Sequence, residues 1–187
     1  MEEKEPNEQE RLWLKLNVSS LSHTFENFQV TAKNKKAYDL MRSLAQNNFK
    51  KFVLLYGVPG NGKTHLIEAF VIATQSRYQT MSQIMRMLKK SIRANSYDDT
   101  FRALCDRKIL VIDDYGAGVQ ETAFEIADIE DIINERYHLR YRDDGKITVM
   151  ATNQDIKTLP DRIVRRFRDP EFGELVLNEA EDFGRHK

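Results

Sequence analysis

The stretch Phe52-Val53-Leu54-Leu55-Tyr56-Gly57-Val58-Pro59-Gly60-Asn61-Gly62-Lys63-Thr64 decides the fold. Five consecutive apolar residues suit a strand buried on both faces of a parallel sheet. The next eight fit GxxxxGK[ST], and Leu66 to Thr74 reads as the helix this motif needs behind it. In such a strand–turn–helix the glycines let successive backbone N–H groups point inward, around a phosphate. The helix start adds unpaired N–H groups and its positive end. Gly57, Val58, Pro59, Gly60, Asn61, Gly62, Lys63 and Thr64 are therefore candidate nucleotide contacts, and His65 can add its backbone. Lys63 would reach the β- and γ-phosphates, and the Thr64 hydroxyl would ligate Mg²⁺.

Outward from this stretch, apolar runs alternate with helical periodicity. Upstream, Ala37, Leu40, Met41, Leu44 and Ala45 fall at helical spacing from Asn34 onward. Downstream, Tyr78 to Thr80 reads as a short strand, followed by a helix with Met85, Leu88 and Ile92 inward. Ile109 to Ile112 is a second buried strand. A long helix then turns Phe124, Ile126, Ile129, Ile132, Ile133 and Tyr137 inward, and strands follow at Ile147 to Ala151 and Leu175 to Leu177. This order predicts an α/β protein with a mostly parallel, five-stranded sheet covered by helices on both faces. Residues 24–187 form the nucleotide-binding domain. Residues 1–23 are expected to be an acidic tail, with five Glu against one Lys in the first ten residues, and a short packing segment from Arg11 to His23.

Composition narrows the function classes. With 187 residues and 41% hydrophobic content the chain has enough apolar material for one core. Lys+Arg is 29 and Asp+Glu is 29, so a globally basic coat is excluded, while local patches are not. The single cysteine, Cys105, excludes an intramolecular disulfide and a cysteine-based zinc cluster. No apolar run approaches the ~20 residues of a membrane span. An acidic N-terminus is unlike a signal peptide, and the expected location is cytoplasmic.

A phosphate loop alone does not separate GTPases, kinases and ATPases. The guanine-reading NKxD tetrapeptide is absent, since Asn34-Lys35-Lys36-Ala37 lacks the Asp. The second apolar strand instead ends in Asp113-Asp114, a Walker B pattern. Asp113 would hold Mg²⁺ through water, and Asp114 could polarise the attacking water. Asn153 closes another strand, where its amide could orient that water. On the segment Leu159 to Phe167, Arg162, Arg165 and Arg166 cluster on one face and Ile163, Val164 and Phe167 on the other. Guanidiniums on a packed helix suit an arginine finger, although a solvated basic face has the same pattern. A small-molecule P-loop kinase is a third possibility, against which Asn153 and Arg162 argue.

These pieces together resemble the AAA+ ATPases of the DnaC/DnaI helicase-loader group and the related IstB transposition helpers. The resemblance is carried by Thr24-Phe25-Glu26-Asn27-Phe28, the phosphate loop, Ile109 to Gly116, Ile132-Ile133-Asn134-Glu135-Arg136-Tyr137, Ala151-Thr152-Asn153-Gln154, and Asp161-Arg162 with Arg165-Arg166-Phe167. It implies an ATPase using ATP and Mg²⁺, with Asp113 and Asp114 as Walker B and Asn153 as sensor 1. It also implies Arg162 as a finger acting on a neighbouring copy, with Arg166 beside it. Phe25 and Phe28 would lie near the adenine, unless they are plain core aromatics. Too few residues follow Asn153 for a C-terminal helical lid, as in the loader group.

From Arg77 to Asn95 the chain carries five basic residues and no acidic one. Arg86, Lys89, Lys90 and Arg93 recur along one helix face, which would bind backbone phosphates without reading sequence. The alternative is an ordinary solvated face. The resemblance implies a channel for single-stranded DNA there, self-association through the ATP sites, and a replicative helicase as client. An IstB-like protein would instead serve a transposase on duplex DNA.

Overall fold

The computed structural model describes residues 20–47, 51–117, 123–139 and 146–180. In chain order the elements are α1 (Lys35–Asn47), β1 (Phe52–Tyr56), α2 (Lys63–Thr74), α3 (Met81–Arg93), α4 (Tyr97–Asp106), β2 (Ile109–Tyr115), α5 (Ala123–His138), β3 (Ile147–Thr152), α6 (Asp161–Phe167) and β4 (Gly173–Leu177). The strands pair in the order β2-β3-β1-β4, and every pairing is parallel. The expected α/β class is the observed one.

The apolar run of β1 is continuous because both faces of the sheet are covered. Phe52 and Leu54 join the core beneath α3, α4, α5 and α6, together with Leu110, Ile112 and Met150. Val53 and Leu55 point the other way, against α1 and α2, with Val111, Val149 and Val176. Period-two alternation thus divides each strand between two cores. The acidic tail and most of the segment Arg11 to His23 lie outside the described residues, as do the side chain of Phe124 and residues 181–187.

The fifth expected strand is reduced to one bridge, Thr80 to Asp113, in which the Asp113 N–H donates to Gln79 O at 2.9 Å. Thr80 is committed elsewhere. It caps α3 in a reciprocal capping box with Gln83, so the chain turns helical one residue after reaching the sheet edge. Helix α4 has no counterpart among the expected elements. It is only ten residues long, and its signal is Ser96 followed by Asp98 and Asp99 in the first turn. Ile92, expected inward, is 50% exposed in the last turn of α3. The inward residues there are Met81, Ile84, Met85 and Leu88, and Ser91 takes the next position.

One buried cation ties the α5 side together. The Arg136 guanidinium donates to Thr148 Oγ1 (2.8 Å), Cys105 O (2.8 Å), Arg107 O (2.6 Å) and Ile147 O (2.7 Å). It thereby satisfies carbonyls at the end of α4 and joins them to the entrances of β2 and β3.

Candidate functional site

Helix α2 opens directly from the glycine-rich loop. Its cap is Gly62 at φ 95, a left-handed conformation that costs other residues more, and no side chain closes the first turn. The N–H groups of that turn therefore remain available to an anion. Gly60, Asn61, Gly62, Lys63, Thr64 and His65 line a cavity of about 520 Å³. Asp114 and Asn153 enter it from the ends of β2 and β3, and His23, Asn27, Phe28 and Gln29 close its far side. Gly57, Val58 and Pro59 form the arm leading into the loop, outside this lining.

The two aspartates are separated by a bulge. Ile112 pairs with Met150 and Tyr115 with Thr152, so Asp113 and Asp114 together oppose Ala151. Asp114 sits at φ 53 and is exposed, whereas Asp113 is 1% exposed. The bulge turns one carboxylate into the protein and the other into the cleft. Asp113 accepts from Tyr78 Oη at 2.9 Å and from the Asp114 N–H at 2.8 Å, and the Thr64 hydroxyl lies near it. Burial raises the Asp113 pKa above the ordinary carboxylate value, against the pull of these hydrogen bonds. Burial, joined by Asp113, also pushes the Tyr78 phenol up. A buried carboxylate with a hydroxyl beside it matches the oxygen-donor chemistry of Mg²⁺.

Lys63 is 6% exposed, and burial brings its pKa down to about 8 despite the nearby Asp113 and Asp114. Its ammonium donates to Gly57 O and Val58 O at 2.8 Å and to Asn61 Oδ1 at 2.9 Å. The His65 side chain borders the cavity and is held by the residues that precede α1. Its Nε2 lies 2.9 Å from both Thr24 O and Asn27 Oδ1, and its ring stacks on His23 with centroids 4.4 Å apart. His23 Nδ1 in turn sits 2.8 Å from Glu68 Oε2. These contacts strap residues 23–28 across the first two turns of α2. Phe28 lines the cavity, while Phe25 is a core aromatic edge-on to Tyr38. Sequence reasoning missed His23, Asn27, Gln29 and Tyr78. The signal for the strap was Thr24 and Asn27, three residues apart, which bond reciprocally in a turn.

The arginines of α6 do not line the cavity. Arg162 is exposed and makes no hydrogen bond or ion pair among the described residues. Arg165 pairs with Asp161 at 2.8 Å. Arg166 donates to Asn134 Oδ1 at 3.0 Å and lies over the Tyr137 ring at 4.4 Å, so it packs α6 onto α5. On α3, Arg86, Lys89, Lys90 and Arg93 are all exposed, but Lys89 is held by Glu125 at 2.7 Å. Among the described residues, no helix is long and apolar enough to cross a membrane.

The family described as the bacterial DnaA ATPase domain matches residues 20–170. The chromosomal replication initiator protein DnaA of Kosmotoga olearia is 31% identical over 172 residues, covering 81% of this chain and 36% of that protein. Its counterpart in Borrelia turicatae is 27% identical over 161 residues, covering 78% of this chain and 31% of that protein. The chain thus spans about a third of the length of the curated relatives it matches. Among solved structures, the replication initiator DnaA bound to AMPPCP and single-stranded DNA superposes with a TM-score of 0.72 at 22% identity, over 85% of this chain and 50% of that one. The DnaC helicase loader superposes with a TM-score of 0.68 at 20% identity, over 83% of this chain and 96% of that one. Likeness at that identity is a likeness of fold. The match to the DnaA family therefore overturns the assignment to the DnaC/DnaI and IstB-like group. The chain belongs to the bacterial DnaA ATPase-domain family.

Proposed function

We propose that this chain binds ATP with Mg²⁺, hydrolyses it when a second copy completes the site, and acts in bacterial DNA replication as an initiator-type ATPase that assembles on single-stranded DNA. The observation that carries the reading is the convergence of Lys63, Thr64, Asp114 and Asn153 on one cavity, with Asp113 buried behind it. Family membership supports the ATPase chemistry. The names of the relatives support the replication role, and a solved relative holding AMPPCP and single-stranded DNA supports both ligands. A replicative helicase or a transposase as client is supported by neither the family match nor the names of the curated relatives.

In this reading the loop N–H groups and Lys63 hold the triphosphate. Thr64 and Asp113 would hold Mg²⁺, which when bound neutralises phosphate charge. Asp114 accepts a proton from the attacking water, and the Asn153 amide fixes that water's direction. Arg162 stands free to reach the phosphates of an adjacent copy, the role an arginine finger needs. Arg86, Lys90 and Arg93 supply cations to the DNA backbone, and Lys89 joins them only on leaving Glu125.

The test is anisotropy of a labelled oligothymidylate titrated with protein in AMPPCP and then in ADP, at matched salt. Tighter binding with AMPPCP is expected, and equal binding in both would sink the ATP-dependent assembly. Replacing Arg86 and Lys90 by Glu should weaken DNA binding and flatten its log–log salt slope by about 0.7 for each phosphate that is no longer neutralised. AMPPCP affinity should not change.

A further inference from the structure

The nucleotide loop is locked from behind by a pair of buried amides. Asn61 Nδ2 donates to Asn178 O at 2.5 Å, and Asn178 Nδ2 donates back to Asn61 O at 2.8 Å. Asn178 lies just past β4, where its own N–H donates to Tyr56 O at 2.9 Å and its Oδ1 accepts from Ala180 N at 3.3 Å. Both asparagines are buried, at 0% and 1% exposure. The network leaves the Asn61 amide one orientation. Its nitrogen must face the Asn178 carbonyl, so its oxygen must face the Lys63 ammonium, 2.9 Å away. Gly57 records the same closeness from the other side. A Cβ there would stand 2.6 Å from Asn178 O and 2.9 Å from Asn61 Nδ2, at a φ of +134 that also disfavours side chains.

We propose that Asn178 is a positioning residue for Lys63: through Asn61 it parks the lysine on its own loop, and nucleotide must draw the ammonium off that resting site. Three oxygens, Gly57 O, Val58 O and Asn61 Oδ1, hold Lys63 on this site. Phosphate oxygens replace them when the lysine turns to nucleotide. The strength of the parking interaction then sets how readily the loop accepts a triphosphate. A residue 117 positions from Asn61, just past β4, so tunes the phosphate loop. The inference rests on the nucleotide reading for its consequence, but the parking itself can be measured without nucleotide.

The experiment is trace acylation of the whole chain with an acetyl N-hydroxysuccinimide ester at one fixed pH, read peptide by peptide by mass spectrometry. The rate at Lys63 is divided by that at exposed Lys157 of the same molecule. Asn178→Ala breaks the bond to Asn61 O that fixes the loop backbone but keeps the backbone carbonyl that faces the Asn61 amide, so it is expected to raise this ratio about twofold, less than the factor of about five that one whole hydrogen bond carries. Asn61→Ala should raise it at least as far. A merely structural role for Asn178 would lower the melting temperature and leave the ratio of the folded protein at the wild-type value, which overturns the proposal. If Asn178→Ala does not fold, Asn61→Ala decides, and an unchanged ratio there overturns it equally. AMPPCP added to the wild type tests the other reading separately. Failure to protect Lys63 would count against nucleotide binding, whereas protection together with an unmoved ratio in folded Asn178→Ala would remove the positioning role alone.

Discussion

Asp114 occupies a left-handed conformation that aspartate and asparagine tolerate better than most residues, so Asp114→Asn should keep the backbone while removing the base. ATP hydrolysis measured by phosphate release should fall by about 10²- to 10⁴-fold. AMPPCP affinity should be retained, and a variant as active as wild type would remove Asp114 from the chemistry. His65 makes a pH prediction. Burial lowers its pKa below the usual 6.5, which the Thr24 carbonyl opposes, the neighbouring His23 reinforces and Glu68 opposes. The neutral ring is thus the one the folded strap prefers. Its contribution is complete above pH 6.5 and is lost as the pH falls through the lowered value. Melting temperatures across that range should drop more steeply in wild type than in His65→Gln, and parallel curves would dissociate the strap from this titration. That Lys63, Thr64 and Asn153 meet at one cavity with Asp113 behind it was legible in the sequence, because one helix start and two strand ends bring them to the same edge of the sheet. The Tyr78 hydrogen bond to Asp113 was not, because it joins positions 35 apart through a chain reversal that no local pattern announces.

At the scale of elements, β1 and β2 were legible because burial on both faces writes an uninterrupted apolar run, which in β3 is broken only by buried Thr148 and in edge strand β4 shrinks to Leu175-Val176-Leu177. The edge segment at Thr80 misled for a local reason: its β-prone residues end in a helix cap, and the cap wins. Helix α4 went unread although Tyr97, Phe101, Leu104 and Cys105 fall at helical spacing, because it is only ten residues long and follows α3 within four residues. Arg136 belongs to this scale too. It looked like part of a family block, and its structural role is to unite α5, the end of α4 and two strand entrances. Arg136→Met removes the donors and strands several buried carbonyls, at a cost of about 3 kcal/mol or more. Urea unfolding should show the lower midpoint with an unchanged slope. A loss within about 0.5 kcal/mol, as at an ordinary surface site, would mean water takes over those carbonyls.

For the whole molecule, Arg162 lies outside its own cavity, and its proposed role in a neighbour's site would make hydrolysis a property of assemblies. Specific activity should climb with protein concentration, and Arg162→Ala should hold it low at every concentration, by about 10³-fold at saturation. Activity independent of concentration in both proteins would show a self-sufficient site. The family was less legible than the fold, because the loader-type motifs sit on the part of the architecture that DnaA and DnaC structures have in common. The bulge in β2 has one more consequence. Two residues stand there against one on β3, so the ladder on either side closes without needing Asp114. The carboxylate that faces the cleft is supernumerary to the sheet. With Asp114 as the proposed base, a lineage carrying this scaffold could silence or restore hydrolysis at one position while the nucleotide-binding architecture passes on unchanged, which would make a turnover engine and a passive nucleotide sensor near neighbours in sequence space.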